Sequence, residues 1–177
     1  MSLRYTLPDV TEQKVVTLIK KNLRDILLNT RLVGAKTVPD WQENLTEDRL
    51  LTEDVAIASE TNMVSFESLG VAQKISPLIQ KVFPDKFVKP SGFFHYPPTG
   101  YMGWHTNSNY PCQRMYLTWT EESGKSFFRY KKAGKVVTDY DDAGLTVRLF
   151  DVTAQEPYLW HCVGSDTDRV SVGLSIA

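Results

Sequence analysis

Histidine and cysteine are scarce in this chain of 177 residues, which contains three histidines and two cysteines. Two cysteines cannot form the disulfide framework of a small secreted domain, so we expect Cys112 and Cys162 to be reduced, packed thiols. No run of about 18 apolar residues occurs, and the first residues lack a basic segment followed by an apolar one. These absences predict a soluble, cytoplasmic protein without a signal peptide or a transmembrane segment.

An excess of either charge is also missing. Twenty Lys and Arg stand against 21 Asp and Glu, which gives a net charge of −1. Proteins that bind nucleic acid or anionic lipid usually carry a basic surface, so neither partner is indicated. A small molecule or a peptide is the better expectation for a substrate, although nothing in the sequence identifies it.

The first half of the chain has the apolar spacing of helices. Apolar residues recur at intervals of three and four over residues 11–29, which predicts an amphipathic helix with Thr11 as its N-cap. A second helix is predicted over residues 65–82, before Pro84. Between them, residues 37–61 are polar, and we expect a surface loop with a short helical piece near Leu50.

The second half changes to short aromatic and β-branched runs bounded by Gly, Pro, Asn and Asp, which are typical of strands. The predicted strands are residues 92–96, 103–107, 114–120, 126–131, 146–151 and 169–176. This order predicts a mainly β (α+β) fold in which N-terminal helices cover one sheet of a jelly-roll, cupin-like core. No linker is visible, so we expect one domain over residues 1–177, mainly helical over 1–90, with the jelly-roll core over 91–177.

Two of the three histidines are candidate metal ligands. If His105 and His161 lie on neighbouring strands, their imidazoles can bind one divalent ion, and Asn107 follows on the same strand face as His105. Imidazole suits iron(II), zinc, copper and nickel, so these ligands do not select the metal. The alternative is that each histidine is a hydrogen-bonded structural residue. We expect His95, on the face of Phe93, to pack structurally or to lie at the rim of the pocket.

Arg169 and Ser171 share one strand face near the end of the chain. A guanidinium can bind a carboxylate through two parallel hydrogen bonds, and the serine hydroxyl can add a third. These residues therefore form a candidate receptor for a small acid. The alternative is a solvated strand face with Val170 and Val172 packed inward.

Taken in chain order, these residues resemble the motifs of the iron(II)- and 2-oxoglutarate-dependent oxygenases, in particular the prolyl-hydroxylase-like branch. The first motif of that family runs Tyr, Pro, a glycine turn, Tyr and His-x-Asp, and the corresponding residues here are Tyr96, Pro97, Gly100, Tyr101, His105 and Asn107. Similar later pieces are Tyr116-Leu117-Thr118, the turn and strand from Gly124 to Phe128, Leu149 to Asp151, His161, and Arg169 with Ser171. The resemblance covers about residues 92–176.

The resemblance implies a double-stranded β-helix and a dioxygenase, with hydroxylation as the expected reaction. Iron(II) would be held by His105, Asn107 and His161. The cosubstrate 2-oxoglutarate would be held by Tyr116, Arg169 and Ser171. A possible pocket wall is formed by Tyr96, Tyr101 and Trp104.

Asn107 departs from the family pattern, because a neutral amide stands where the family has a metal-binding aspartate. The amide oxygen can ligate the metal, or the position can be taken by water or an anion, or oxidative chemistry can have been lost while binding is kept. The alternative function is therefore a catalytically silent cupin-like domain that binds a small carboxylic acid or a metal. A metal-dependent isomerase or hydrolase in a cupin-type site is a further alternative.

Overall fold

The first helix confirms the apolar pattern of the N-terminal residues. In the computed structural model, which describes residues 2–50, 54–66 and 70–177, helix α1 spans Asp9–Val33. Pro8 occupies the N-cap position with φ −56°, so the predicted cap, Thr11, lies inside the helix. The helix ends at Gly34, whose φ of 76° is left-handed.

The segment after α1 contains short helical pieces, as predicted. Two 3₁₀ helices span Trp41–Leu45 and Glu47–Arg49. Helix α2 spans Gly70–Gln80, whereas residues 65–82 were predicted. Its predicted first residue belongs instead to strand β2, and the predicted residues 67–69 lie outside the described part of the chain. None of the described helices is long and apolar enough to cross a bilayer.

Strands dominate the rest of the described chain. They are β1 (Thr61–Asn62), β2 (Val64–Ser65), β3 (Val88–Tyr96), β4 (Gly100–His105), β5 (Cys112–Thr120), β6 (Ser126–Lys132), β7 (Lys135–Tyr140), β8 (Gly144–Val152), β9 (His161–Ser165) and β10 (Arg169–Ile176). The first sheet has the order β2-β3-β10-β5-β8 and the second has the order β1-β4-β9-β6-β7, with antiparallel pairing. From β3 to β6 the chain alternates between the sheets, which confirms the predicted jelly roll.

Strands β7 and β9 were not predicted. Strand β7 forms a hairpin with β6 through the two-residue turn Ala133-Gly134, and both turn residues have positive φ. That geometry matches the right-handed twist of the paired strands. Strand β9 is only five residues long and is buried throughout, so it has neither the length nor the polar alternation that identifies a strand in sequence.

Three apolar layers pack against the two sheets, one on each outer face and one between them. The helices cover the outer face of the first sheet, where Val170, Val172 and Leu174 of β10 pack beneath Val15 and Ile75. A second layer fills the space between the sheets and includes Phe128, Phe150 and Val163. The third lies on the outer face of the second sheet, under the first 3₁₀ helix. The free thiol of Cys162 is buried in this third layer, and that of Cys112 is half-buried.

Residues near the N-terminus extend the first sheet at its β8 edge. The backbone N–H of Tyr5 donates to Val147, and that of Leu149 donates to Leu3, at 3.0 and 2.9 Å. Arg4 forms an isolated bridge with Arg148 between these two bonds. The edge strand β8 is therefore covered along its middle.

We expect Gly164→Ala to lower the free energy of unfolding by about 1–3 kcal/mol, the usual cost of overfilling a packed core. A Cβ at Gly164 would lie 2.5 Å from ring atoms of both Trp41 and Phe127. Urea unfolding followed by circular dichroism measures the change. Gly70→Ala is the matched control, because no heavy atom lies within 4 Å of its Cβ position. Equal midpoints for the two variants would contradict this account of the third layer.

Candidate metal and ligand site

The two predicted histidines meet between neighbouring strands. Strands β4 and β9 are antiparallel, and His105 is the register partner of His161. The ring centroids are 4.2 Å apart, and the two side chains are buried. The structure therefore brings together two imidazoles that are far apart in the sequence.

Hydrogen bonds fix which nitrogen of each ring is free. Nδ1 of His105 lies 2.8 Å from the carbonyl oxygen of Gly103, and Nδ1 of His161 lies 2.8 Å from that of Leu159. A carbonyl oxygen only accepts, so Nδ1 carries the hydrogen in both rings and Nε2 keeps its lone pair. Metal-binding histidines are oriented by this kind of bond.

Burial keeps both rings neutral. It lowers the pKa of His105 to about 4, and it lowers the pKa of His161 well below the usual value. The positive charge of Arg114 lowers the pKa of both rings further. At pH 7 the two Nε2 atoms are therefore available as ligands, since only neutral imidazole binds a metal.

An irregular register in β4 decides which of its side chains face the histidines. The pairing with β9 shifts between Met102 and His105, and both of these residues line the same cavity. One extra residue reverses the alternation of a strand. Tyr101 and Trp104 therefore pack in the third apolar layer with Trp41, on the opposite face. The prediction that they form the pocket wall is corrected.

Asn107 reaches the histidines from beyond the end of β4. Its φ of 59° is left-handed, a conformation that Asn tolerates better than most residues, and its backbone N–H donates to Ala56 at 2.9 Å. Its side-chain Nδ2 lies 3.1 Å from both the hydroxyl oxygen of Tyr116 and Nε2 of His161. A carboxamide nitrogen carries two hydrogens and can donate one to each of these acceptors, whereas an ionised carboxylate has none. Asn107 thus occupies the lone pair of His161 that a metal would use.

A cavity of about 320 Å³ opens beside this group. Burial raises the pKa of Tyr116, so its hydroxyl stays protonated. The cavity is lined on its polar side by His105, Asn107, Tyr116 and Arg114, and on its apolar side by Met63, Phe94 and Met102. Arg114 was missed in the sequence, although its position two residues before Tyr116 places it on the same strand face.

Arg169 is buried in an ion pair instead of facing this cavity. Its Nε donates to Asp141 at 2.9 Å and its Nη2 donates to Thr118 at 3.1 Å. The guanidinium lies over the ring of Tyr96, 5.0 Å from the centroid, so Tyr96 packs between the sheets away from the cavity wall. Ser171 follows on the same face of β10, opposite Thr118. Arg169 and Ser171 share a strand face, as predicted, but the guanidinium of Arg169 on this face pairs with the buried carboxylate of Asp141.

Asp141 belongs to a larger charged network. Its Oδ1 accepts from Nη1 of Arg148 at 2.6 Å, whereas its Oδ2, which accepts from Arg169, also accepts from the hydroxyl of Ser126 at 2.5 Å. Burial would raise the pKa of this carboxyl, but the guanidinium groups of Arg169 and Arg148 hold it well below its usual value. Arg4 connects Asp139 and Asp142 to the same network, which therefore balances three arginines with three aspartates.

The resemblance implies two bound groups, iron(II) and 2-oxoglutarate, and the site fits them to different degrees. Two neutral imidazoles whose Nε2 atoms carry no hydrogen suit iron(II), although a metal at His161 would displace the hydrogen bond from Nδ2 of Asn107. The described residues contain no group of three or more His, Cys, Asp or Glu side chains that would complete a metal site. The cosubstrate does not fit at Arg169, because a further carboxylate there would meet Asp141. One guanidinium nitrogen, Nη1, is left without a partner among the described residues.

His95 lies on the other face of the first sheet. Its Nδ1 lies 2.6 Å from the hydroxyl of Thr30 on α1, and its Nε2 lies 2.9 Å from Asp168. It therefore packs structurally between helix and sheet, as predicted.

Comparison with known proteins identifies the fold. No protein-family model matches this chain, and no curated protein matches it significantly. Among solved structures it is similar to a prolyl hydroxylase from Trichoplax adhaerens in complex with a hypoxia inducible factor oxygen degradation domain peptide, with a TM-score of 0.53 and 13% identity over 92% of this chain and 78% of that one.

Two bacterial structures give lower scores. A prolyl-4-hydroxylase from Pseudomonas putida has a TM-score of 0.49 and 13% identity over 97% of this chain and 89% of that one. An oxidoreductase of the 2OG-Fe(II) oxygenase family from Burkholderia pseudomallei has a TM-score of 0.46 and 9% identity over 100% and 95%. The similarity to the Trichoplax adhaerens structure confirms the prediction of a prolyl-hydroxylase-like fold, and at 13% identity it shows the fold alone.

We expect Asp141→Asn to lower the free energy of unfolding at pH 7 by about 3–5 kcal/mol, because it leaves two buried guanidinium groups without their anion. The folded pKa of this carboxyl lies below its unfolded value of about 3.9, so its contribution is present above that pH and is lost as the pH falls below it. Urea unfolding at pH 7 and at about pH 3.5 should therefore show a smaller difference between variant and wild type at the lower pH.

Asp142→Asn is the control for this measurement, since its carboxylate is 72% exposed and pairs with Arg4 at the surface. Its cost should stay below about 1 kcal/mol. A loss of similar size in both variants would contradict a special role for the buried pair.

Proposed function

We propose that the protein is an iron(II)-dependent oxygenase, a hydroxylase that uses 2-oxoglutarate as its cosubstrate. The observation that carries the proposal is the pairing of His105 with His161 in this fold, with both Nδ1 atoms bonded to backbone carbonyls, so that neither Nε2 atom carries a hydrogen.

The chain's own residues would have distinct roles. His105 and His161 would hold the iron, and turning over the carboxamide of Asn107 would exchange its nitrogen for an oxygen donor. The bound metal and cosubstrate would supply the activation of dioxygen, and 2-oxoglutarate would leave as succinate and CO₂. Tyr116 is placed to orient Asn107, and the apolar wall around Phe94 is placed to exclude water.

One observation favours a second candidate, a cupin-like domain that binds an acid without catalysis. Asn107 donates to Nε2 of His161, which closes a hydrogen-bond network without any metal. An amide also brings no negative charge to a dication, and even at an effective dielectric near 20 that charge is worth several kcal/mol. The two candidates differ in metal affinity and in turnover.

Asn107→Asp should bind a divalent ion at least about tenfold more tightly than wild type, because it adds one negative charge to the ligand set. Isothermal titration with Mn²⁺ or Co²⁺ measures this. Asn109→Asp adds the same charge at an exposed position two residues away and should leave the affinity unchanged. If both variants bind as wild type does, Asn107 does not face the metal.

Wild-type protein incubated aerobically with Fe²⁺, ascorbate and 2-oxoglutarate should release succinate slowly even without a substrate. His161→Ala should abolish this release, because one of the two imidazole ligands is lost. Succinate is measured by mass spectrometry, with 2-oxoglutarate omitted as the control. No succinate from either wild type or Asn107→Asp would favour the binding domain over the oxygenase.

A further inference from the structure

Arg114 is a buried guanidinium without an acidic partner among the described residues. It is 8% exposed, and its Nε has no hydrogen-bond partner among the described residues. Its only side-chain hydrogen bond in the described part of the chain is a long one, 3.5 Å from Nη2 to the carbonyl of Tyr110. By contrast, the equally buried Arg148 and Arg169 each pair with aspartate. Burying a charge is costly unless an opposite charge accompanies it. An anion bound next to Arg114 would reduce this cost.

The guanidinium lies at the cavity beside the two histidines. Arg114 lines this cavity together with His105, Asn107 and Tyr116. Across the sheet its register partner is Ser175, whose hydroxyl is also buried and unpartnered among the described residues. Nε of Arg114 and the hydroxyl of Ser175 therefore both lack partners in the described part of the chain, and Arg114 lines a cavity that can hold a ligand.

Nearby charge also favours an anion. The ammonium of Lys89 and the guanidinium of Arg114 lie 4.7 and 5.4 Å from the ring centroid of Tyr110. Among the described residues no carboxylate pairs with either cation. A planar guanidinium is best matched by a planar carboxylate.

The remaining wall of the cavity is apolar. Met63, Phe94 and Met102 line it, and Ile57 adds a side chain that is 71% exposed. A volume of about 320 Å³ lies at the lower end of the range for small-molecule sites. The occupant therefore combines one anionic group with a modest apolar part.

We propose that Arg114 is the receptor for the carboxylate of a small organic acid that occupies this cavity, in place of the Arg169 receptor that the sequence suggested. The carboxylate comes either from the 2-oxo acid cosubstrate or from the substrate. The assignment to the cosubstrate rests on the proposed function. Binding of an acid to Arg114 requires neither a metal nor turnover.

The test uses the full-length protein after removal of metal with EDTA. Isothermal titration and ligand-observed NMR measure binding of 2-oxoglutarate, succinate, N-oxalylglycine and an apolar monocarboxylate such as hexanoate, with hexanamide as the neutral match. We expect at least one acid to bind wild type, and we expect hexanamide to bind at least tenfold more weakly than hexanoate if hexanoate is the ligand.

Arg114→Gln should weaken that acid at least tenfold, and Arg114→Lys should weaken it less because the charge remains. Arg24→Gln removes an exposed arginine from α1 and should change nothing. Circular dichroism confirms that the variants are folded. Equal affinity in wild type and Arg114→Gln, or no binding of any acid to wild type, would overturn the proposal.

The same titrations separate the two sources. If 2-oxoglutarate displaces the acid, Arg114 holds the cosubstrate, and if both bind together, it holds the substrate. If an acid binds through Arg114 but no succinate is produced, the proposed oxygenase function is rejected and the proposed acid receptor stands. Succinate production with an unchanged KM for 2-oxoglutarate in Arg114→Gln would keep the oxygenase and show that Arg114 does not hold its cosubstrate.

Discussion

The carboxylate of Asp141 is the interaction on which the interior of this jelly roll depends. It follows a strand of the second sheet and binds Arg148 and Arg169 on two strands of the first. Because all three side chains are buried, the attraction between them is little screened by water. The network connects the two sheets and at the same time pairs Arg169 with an internal acid.

This division of charge leaves Arg114 as the arginine of the first sheet that has no carboxylate partner among the described residues. Arg169 is neutralised within the protein, whereas Arg114 is buried next to open space. The histidine pair lies beside that space, and two backbone carbonyls keep the hydrogen of each ring on Nδ1. The arrangement places two neutral imidazoles next to a buried cation, and a carboxylate is complementary to the cation.

The sequence predicted the parts of the site that depend on chain order and local pattern. Alternation and turn residues identified the long strands, and motif spacing identified His105 and His161. It could not predict the extra residue in β4 that turns Tyr101 to the outer face, because a bulge has no fixed composition. Nor could it pair Arg169 with Asp141, since that contact depends on how β7 and β10 are placed in space. The role of Arg114 could not be predicted for the same reason, because only the folded structure shows that no carboxylate of the described residues pairs with it.

The bridge made by residues 3–5 along β8 has a consequence for solubility. An uncovered edge strand offers free N–H and C=O groups to any other extended chain, which is a common route to aggregation. Here Leu3 and Tyr5 satisfy those groups at the middle of the edge. Arg4 anchors the bridge through its bonds to Asp139, so one short peptide segment shields the sheet from self-association.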